Sequence, residues 1–533
     1  MLKPKKYKKV VLIILDGFGV ASPSRGNAVF LAGTPYIDEL VRNFPTTTLQ
    51  ASGPLVGLPW GEMGNSEVGH LNIGAGRIVG QDLPRINNSI SNGEFYKNPT
   101  LLAACEHVKT NNSSLHLVGM ASSGNVHSSL NHLFALLALA QGQGLSRVFM
   151  HIFLDGRDTP ERVALEDIAS LRKKVAEIGV GEIATVAGRF YAMDRGGHWN
   201  QTEETYRALV NGAGPTASTA EAAIMANYEK GIFDEMVPPT VIVNETGEPV
   251  AKIGSSDAIV YFNFRQDRAL QLTQSFVDVG HTPLAGKLTV LQNVYFVTMT
   301  EYQQGLPVHV AFAPPELVNN LASYISAKQL TQFHAAESEK YAHVTAFFNC
   351  GVTNQLSGEG RQIVTSPSNS NNYVDRPAMA SKELTDVLVE QITKTETNFI
   401  LANYANADMV GHTGSLQASQ RAVQSLDVAM GMVSEAVLSV DAALIITADH
   451  GNIEQLIDLK TGDIDKDHTT NPVPFILIAN EFKGVREWTP NYMSLAGVVP
   501  EGAISDIAPT ILDLLGIEKP QEMTAVSLLP ALR

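Results

Sequence analysis

The chain has almost no cysteine, no excess of basic residues and no long apolar run. Cys105 and Cys350 are the two cysteines among 533 residues, and they lie far apart without metal-type spacing, which fits a reducing cytoplasm and provides no disulfide framework. The net charge of −16 argues against a nucleic-acid partner, which requires a basic face. No stretch approaches the roughly 20 apolar residues that span a bilayer. We therefore expect a cytoplasmic protein that binds neither nucleic acid nor membrane.

The beginning of the chain superficially resembles a signal peptide. Residues Met1 to Lys9 are rich in lysine, and the apolar run Val10 to Leu15 follows. This run is too short for the apolar part of a signal peptide and ends at Asp16 and Gly17, so it predicts a first strand. The length of the chain suggests about two to four domains, and the sequence contains no internal repeat.

Three runs rich in Val, Ile and Leu end close to an acidic residue. These runs and their acids are Val10 to Leu15 with Asp16, Phe399 to Tyr404 with Asp408, and Leu444 to Thr447 with Asp449. Continuous apolar runs are typical of buried strands in a parallel sheet, and Ser415 to Leu438 has a helical pattern. Each Asp alone would more often be a helix cap. Because ligands gather at the carboxyl ends of parallel strands, we expect the three acids at one edge of a sheet.

Three histidines accompany these acids. His412 stands four residues after Asp408, His450 directly follows Asp449, and His468 precedes another apolar run. Carboxylates and imidazoles without thiolates suit Mn, Zn or Mg-type ions, and a pool of this size suits two of them. A pair of ions can activate an oxygen nucleophile and stabilise both the entering and the leaving oxygen in phosphoryl transfer.

Ser66, in the segment GNSEVGH at residues 64–70, is a candidate nucleophile. A serine that follows Gly-Asn and precedes an apolar stretch is also a common helix cap. A serine hydroxyl becomes reactive only when a base or a metal ion activates it. The segment alone leaves both interpretations open.

The middle of the chain predicts a second domain. Turn-rich sequences at Gly80 to Pro84 and at Ala313 to Glu316 mark its edges, since Gly and Pro interrupt regular structure. We predict a discontinuous first domain of residues 1–80 and 315–533. The inserted domain, residues 81–314, is predicted to have its own α/β core.

The inserted segment concentrates arginine beside turns. It contains two predicted strands, Ser114 to Met120 and Arg147 to Leu154, and a predicted amphipathic helix, Glu161 to Ile178. Five arginines lie at predicted turns, namely Arg157, Arg189, Arg195, Arg265 and Arg268. Each alone could form an ion pair with a neighbouring Asp, and Arg265 and Arg268 would share a face if helical. Together, in an acidic chain, they indicate an anionic ligand, because Arg binds phosphate and carboxylate through paired hydrogen bonds.

Several motifs together resemble those of the cofactor-independent phosphoglycerate mutases of the alkaline phosphatase superfamily. They are VLIILDGFG at 11–19, GNSEVGH at 64–70, TADHGN at 447–452 and HTTNPVP at 468–474. The resemblance extends over essentially the whole chain. It implies a two-domain α/β fold, in which an alkaline-phosphatase-like parallel-rich sheet flanked by helices carries an inserted α/β substrate domain. It also implies interconversion of 3-phosphoglycerate and 2-phosphoglycerate through a phosphoserine, in glycolysis and gluconeogenesis, without 2,3-bisphosphoglycerate.

The resemblance also implies roles for individual residues. One divalent ion would be held by Asp408, His412 and His468, and the other by Asp16, Ser66, Asp449 and His450, with Ser66 transiently phosphorylated. The substrate would be bound by His127, Arg157, Asp158, Arg189, Arg195, Arg265, Arg268 and Lys340, with Asp158 as acid/base and Lys340 near the phosphate. Mn²⁺ is the expected ion, with Mg²⁺, Co²⁺ or Zn²⁺ as alternatives, and a monomer is expected.

Three other functions share part of this pattern. A metal-dependent phosphatase or sulfatase would need the strand-end ligands but not the arginine-rich insert. Phosphopentomutase resembles the metal-binding half, but its pattern has Thr where Ser66 stands. A non-catalytic metal- or anion-binding protein would bind phosphoglycerate without turning it over.

The chain departs from the family pattern between Thr365 and Tyr373. This stretch is rich in Asn and Ser, and the lysine expected after Ser366 and Pro367 is missing, which concerns a local contact rather than the reaction. His116, His151 and His334 match no motif, and we expect them to be structural.

Overall fold

The computed structural model describes residues 6–367, 373–484 and 489–532. The basic residues 1–5 and residues 368–372 of the Asn- and Ser-rich stretch lie outside the described residues. The chain divides into two compact units, Met1–Gly80 with Glu316–Arg533 and Gln81–Pro315. Across the described ranges, no helix combines the length and the apolar character needed to cross a membrane.

Strands and helices alternate along much of the chain. The strands are β1 (Val10–Leu15), β2 (Thr46–Gln50), β3 (Leu115–Met120), β4 (Val148–Leu154), β5 (Glu182–Gly188), β6 (Thr216–Ala217), β7 (Thr240–Ile242), β8 (Ala258–Tyr261), β9 (Tyr295–Thr298), β10 (His309–Val310), β11 (Gln332–Glu337), β12 (Glu359–Val364), β13 (Phe399–Tyr404), β14 (Ala443–Thr447), β15 (Val473–Ile478) and β16 (Gly502–Ala503). The α-helices are α1 (Ala28–Ala32), α2 (Pro35–Asn43), α3 (Ser66–Ala75), α4 (Asp82–Ser91), α5 (Pro99–Asn111), α6 (Leu130–Gly142), α7 (Ala164–Ile178), α8 (Arg189–Ala192), α9 (Trp199–Asn211), α10 (Ala220–Tyr228), α11 (Leu270–Val277), α12 (Leu321–Ala327), α13 (Ser381–Lys394), α14 (Asn406–Gly411), α15 (Leu416–Ser439) and α16 (Ile507–Leu515).

The first unit is built on an eight-stranded sheet in the order β12-β11-β13-β1-β14-β15-β2-β16. The strands from β12 to β14 run parallel, β15 is antiparallel to both of its neighbours, and β16 is parallel to β2. The central strands β1 and β13 are buried along their whole length, as expected for apolar runs covered on both faces. The long helix α15 packs against α1, α13 and α14.

The register of the central strands aligns their carboxyl ends. Leu15 of β1 pairs with Tyr404 of β13, and Ile14 pairs with Thr447 of β14. The segments that carry the three acids therefore leave the sheet at the same edge. The predicted limits of β1 and β13 are confirmed, and β14 begins one residue earlier than predicted.

The second unit has its own eight-stranded sheet, in the order β10-β9-β8-β3-β4-β5-β7-β6. It is parallel except where β7 pairs with β5. Strands β3 and β4 each begin one residue later than predicted, and α7 begins at Ala164 rather than at Glu161. The Oδ2 atom of Asp234 accepts hydrogen bonds from the backbone N–H groups of Val163 and Ala164, each at 2.9 Å. This contact from a distant residue fixes the start of α7, which the local sequence does not reveal.

A chain of buried polar groups crosses the sheet of the second unit. His116 Nδ1 lies 3.0 Å from His151 Nε2, and His116 Nε2 lies 3.2 Å from Asp257 Oδ2. His151 Nδ1 lies 3.0 Å from Thr185 Oγ1. Burial lowers the pKa of His151 well below its ordinary value. The two histidines therefore satisfy polar atoms inside the core.

The buried ring of His132 predicts a loss of stability in acid. Burial lowers its pKa to about 4, below the unfolded value of about 6.5, so the unfolded chain takes up the proton first as the pH falls. Stability should therefore be lost between about pH 6.5 and pH 4. Because His132 Nε2 lies 3.1 Å from Asn87 Oδ1, His132→Gln keeps a donor there. Between about pH 7 and 4.5, we expect this variant to lose roughly 2 kcal/mol less stability than the wild type in urea unfolding. Equal losses in both proteins would contradict the prediction.

Candidate active site

Ser66 is the first residue of α3, but it does not cap the helix. The capping side chain is that of Asn65, whose Oδ1 accepts a hydrogen bond from the backbone N–H of Val68 at 2.9 Å. The helix-cap interpretation of Ser66 is therefore wrong. The hydroxyl of Ser66 is left to interact with other groups, although the residue is only 7% exposed.

Three side chains surround this hydroxyl. Ser66 Oγ lies 3.0 Å from Asp16 Oδ1, 3.0 Å from His450 Nε2 and 2.7 Å from Lys340 Nζ. Lys340 Nζ also lies 2.7 Å from Asp16 Oδ1 and 2.7 Å from Asp408 Oδ2. The ammonium group of Lys340 thus contacts the hydroxyl and both carboxylates.

The carboxylates of Asp16 and Asp408 stabilise a positive charge next to the Ser66 hydroxyl. Burial acts to lower the pKa of Lys340, but Asp16 and Asp408 outweigh it and raise that pKa above its ordinary value. Burial acts to raise the pKa of Asp16, and Lys340 outweighs it, so the pKa of this carboxyl is low. Despite burial, the carboxylates of Asp449 and Asp16 raise the pKa of His450 to about 10. The site therefore holds ionised carboxylates in a buried position.

A second group of ligand-type atoms lies beside the first. Asp408 lies in α14, and His412 directly follows the end of that helix. His468 comes from the loop before β15. The two imidazole Nε2 atoms are 3.1 Å apart, and each lies 3.2 Å from Asp408 Oδ1. His412 Nδ1 lies 2.7 Å from the carbonyl oxygen of Lys466, and His468 Nδ1 lies 2.8 Å from that of Gly64.

These contacts determine which nitrogen of each ring can bind a cation. A carbonyl oxygen only accepts hydrogen bonds, so Nδ1 carries the proton in His412 and in His468. In the neutral ring, Nε2 is then the nitrogen with a free lone pair, and in both residues it is the atom next to the carboxylate of Asp408. Three electron-pair donors converge on one point, which is the arrangement that a divalent cation stabilises.

Three groups of side chains could hold a metal ion, because within each group the donor atoms lie within 4.8 Å of one another. They are Asp408, His412 and His468; Asp16, Asp408 and His450; and Asp16, His70 and Asp449. These donors are carboxylate oxygens and imidazole nitrogens without thiolates, which fits Mn, Co and Zn-type ions. Asp449 and His450, which the resemblance gives to one ion together with Asp16 and Ser66, fall into different groups here. Asp449 Oδ2 lies 3.8 Å from His450 Nε2 and 3.1 Å from His70 Nδ1.

The sequence did not single out two buried residues of this site, His70 and Asn403. His70 Nδ1 lies 2.8 Å from the carbonyl oxygen of Ser66. Asn403 Nδ2 donates to Asp16 Oδ2 at 2.8 Å and lies 3.0 Å from His70 Nε2. His70 could have been found from its spacing, because residues four apart on a helix are neighbours. Asn403 had no such signal, since it lies inside the apolar run of β13.

An open cavity of about 270 Å³ adjoins the His412 and His468 rings. It is lined by Glu62, Met63, Gly64, Asn65, His412, Asp467 and His468. The imidazoles are thus accessible to a small ligand from solution.

In the second unit, three of the predicted substrate-binding residues are in contact. The side chain of Arg189 is 2% exposed, and its guanidinium donates to Asp155 Oδ1 at 2.6 Å and to Asp158. The Nη2 atom of Arg189 lies 2.9 Å from His127 Nε2. Burial and the charge of Arg189 lower the pKa of His127 to about 4. The imidazole of His127 is therefore neutral near pH 7.

Arg265 and Arg268 do not form a helical face. Helix α11 begins only at Leu270, and both arginines lie in the loop and turn before it, so the condition for a shared helical face is not met. Arg268 Nη1 donates to the carbonyl oxygen of Met193 at 3.2 Å, and Arg265 Nε lies 3.2 Å from Asp267 Oδ1. A tertiary contact holds the guanidinium group of Arg268, and a contact within the same loop holds that of Arg265.

The remaining arginines form exposed ion pairs. Arg195 contacts Asp267, and Arg157 Nη1 lies 3.6 Å from Glu235 Oε1. Neither partner is the neighbouring Asp of the ion-pair alternative, because Asp267 and Glu235 are distant in sequence from these arginines. About half of each side chain is exposed, and exposed pairs of this kind contribute little stability. Their guanidinium groups remain accessible to an anion.

Comparisons with known proteins give a consistent result. The family described as "BPG-independent PGAM N-terminus" matches residues 86–304. A 2,3-bisphosphoglycerate-independent phosphoglycerate mutase of Acetivibrio thermocellus is 46% identical over 98% of this chain and 99% of its own. One from Methanosarcina acetivorans is 47% identical over 98% of each chain. A structure of Leishmania mexicana phosphoglycerate mutase at low cobalt concentration is 29% identical, covers 99% of both chains and has a TM-score of 0.61.

The clustered donors predict that chelator-treated protein binds two divalent ions. We expect calorimetric titration with Mn²⁺ to give two equivalents for the wild type and one for His468→Ala, because this variant removes a donor from the Asp408 group. His309→Ala changes an exposed histidine of the second unit and should bind like the wild type. Two equivalents of unchanged affinity in His468→Ala would contradict the assignment.

Proposed function

The chain belongs to the 2,3-bisphosphoglycerate-independent phosphoglycerate mutases, and from this premise we propose that it interconverts 3-phosphoglycerate and 2-phosphoglycerate in glycolysis and gluconeogenesis. It is then an isomerase that moves a phosphoryl group within one molecule through a phosphoserine. The observation that carries this proposal is the contact of the Ser66 hydroxyl with Asp16, His450 and Lys340. A buried hydroxyl in such surroundings is suited to accept a phosphoryl group.

We propose that two Mn²⁺ ions are resident in the enzyme and that 2,3-bisphosphoglycerate is not needed. One ion would be held by Asp408, His412 and His468, and the other by Asp16, Ser66, Asp449 and His450. When bound, the ions supply Lewis-acid charge that lowers the pKa of the Ser66 hydroxyl and offsets negative charge on the phosphoryl oxygens. The oxygen and imidazole donors of these residues suit Mn²⁺.

In the proposed first step, Ser66 Oγ attacks the phosphorus atom of 3-phosphoglycerate. The bond between Oγ and phosphorus forms while the bond from phosphorus to the 3-oxygen breaks, and the proton of Ser66 is passed on to that oxygen of glycerate. Lys340 Nζ lies 2.7 Å from Ser66 Oγ. Its ammonium group can therefore offset negative charge that develops around the phosphoryl group.

The second step requires that glycerate stays bound while Ser66 carries the phosphoryl group. We propose that the arginine cluster, consisting of Arg157, Arg189, Arg195, Arg265 and Arg268, holds the substrate anion together with His127. The 2-oxygen of glycerate then takes the phosphoryl group while the bond from phosphorus to Ser66 Oγ breaks. Asp158 or His127 accepts the proton of the 2-hydroxyl, and this proton is returned to Ser66 Oγ. If glycerate left earlier, water would hydrolyse the phosphoserine and the enzyme would be a phosphatase.

We also propose that the enzyme acts as a monomer in the cytoplasm. The proposed substrates belong to glycolysis. The low cysteine content supports a reducing compartment.

The nucleophile is tested with a coupled assay of 3-phosphoglycerate conversion. We expect chelator-treated wild type to regain activity with Mn²⁺ in the absence of 2,3-bisphosphoglycerate, and Ser66→Ala to remain inactive, because it cannot form the phosphoserine. Release of inorganic phosphate without isomerisation would instead identify a phosphatase. Binding of phosphoglycerate without turnover would identify a binding protein.

The arginine cluster is tested by Arg268→Met. Loss of a charged hydrogen-bond donor should raise KM roughly tenfold or more, and it should increase the ratio of phosphate release to isomerisation if glycerate escapes. Arg172→Met is the control, since Arg172 is a half-exposed arginine of the second unit that pairs with Glu221. Equal KM values in Arg268→Met and the control would rule out a role for Arg268 in substrate binding.

A further inference from the structure

Glu454 is a buried carboxylate that neither the motifs nor the proposed reaction uses. It follows β14 in a turn and is 1% exposed. Its Oε2 atom accepts hydrogen bonds from the backbone N–H of Gly19 at 3.1 Å and of Asn452 at 2.9 Å. Its Oε1 atom accepts from the hydroxyl of Thr469 and from Nδ2 of Asn471, the latter at 2.9 Å. Each oxygen therefore accepts two hydrogen bonds.

These four donors come from three separate loops. Gly19 lies in the loop after β1, Asn452 in the loop after β14, and Thr469 and Asn471 in the loop before β15. A backbone bridge between Gly451 and Thr469 joins the last two loops. Backbone hydrogen bonds also join the loop after β1 to the other two loops, from Val20 to Pro472 and from Ile453 to Gly17. The carboxylate of Glu454 adds one point at which all three loops meet.

The backbone is shaped to let this carboxylate approach. A Cβ atom at Gly19 would lie 2.4 Å from the carboxyl carbon of Glu454, and one at Gly451 would lie 2.3 Å from its Oε1. Real Cβ atoms essentially never come this close to another atom. Glycine at both positions thus leaves room for the carboxylate between the loops.

The same three loops carry several of the candidate metal ligands. Asp16 is three residues before Gly19, His450 is two residues before Asn452, and His468 directly precedes Thr469. Asn452 extends the connection to a further ligand, because its Nδ2 donates to Asp408 Oδ1 at 3.2 Å. The hydrogen bonds of one carboxylate thus reach the neighbourhood of ligands from both proposed ion sites.

We propose that Glu454 is a positioning residue that holds these loops in the arrangement that binds the metal ions. The proposal rests on the proposed metal-dependent function and adds a residue that touches neither metal nor substrate. The carboxylate is needed because it offers acceptors on both oxygens. In Glu454→Gln, one oxygen is replaced by an amide NH₂ that can only donate, so two of the four donors lose their acceptor.

The test compares Glu454→Gln with Asp427→Asn. Asp427 is a matched control in the first unit, because it is 2% exposed and its carboxylate accepts backbone hydrogen bonds from Tyr36 and Ile37 at the start of α2. Each variant replaces a buried carboxylate with its amide. Both are expected to lower the unfolding temperature, but only Glu454→Gln should weaken Mn²⁺ binding, by roughly 10- to 100-fold in calorimetric titration.

Thr469→Val provides a second variant in case Glu454→Gln does not fold. It removes one hydroxyl donor to Glu454 and keeps the shape of the side chain. We expect it to weaken Mn²⁺ binding several-fold, with the larger effect on the ion held by His468.

Two results would overturn the proposal. The first is wild-type Mn²⁺ affinity in folded Glu454→Gln, or in Thr469→Val where only that variant folds. The second is an equal loss of Mn²⁺ affinity in Asp427→Asn. This would mean that replacing any buried carboxylate of the first unit with its amide weakens Mn²⁺ binding. Because Mn²⁺ affinity is measured directly, a wild type that binds Mn²⁺ without isomerising 3-phosphoglycerate contradicts the proposed function and not this role of Glu454.

Discussion

The register of β1 between β13 and β14 is the constraint on which the candidate active site depends. Parallel pairing of Leu15 with Tyr404 and of Ile14 with Thr447 ends the three strands at the same level. The following segments then start from one edge, so residues distant in sequence supply neighbouring carboxylates. Side chains alternate between the two faces of a strand. A shift of one residue in this register would therefore move every side chain of the shifted strand to the opposite face of the sheet.

The buried carboxylates at this edge of the sheet must also be stabilised. Buried carboxylates are costly unless hydrogen bonds or opposite charges stabilise them. Asp16 and Asp408 share the ammonium group of Lys340, whereas Glu454 relies on hydrogen bonds from neutral donors. The reactive part of the site and its framework are thus stabilised by different kinds of contact.

The sequence predicted those features that depend on local patterns. The apolar runs gave the limits of β1 and β13, and the acids and histidines after them gave the groups around Asp408. Patterns failed where tertiary contacts decide. Asn65 rather than Ser66 caps α3, because the helix begins at Ser66 and the capping side chain is that of the residue before it. Asn403 was hidden inside an apolar strand, and Glu454 has no neighbour in sequence that indicates its four donors.

The pairing of β1 also has a consequence for the synthesis of the protein. Val10 pairs with Phe399, so the central strand of the first unit leaves the ribosome long before either of its neighbours in the sheet exists. The second unit is contiguous from Gln81 to Pro315 and can complete its own core while the chain is still being made, as domains generally fold as units. Its folding does not wait for a distant segment, whereas contacts between residues so far apart in sequence form slowly. The apolar run of β1 therefore stays exposed on the nascent chain until β13 and β14 are made, and it is a segment to which a chaperone can bind.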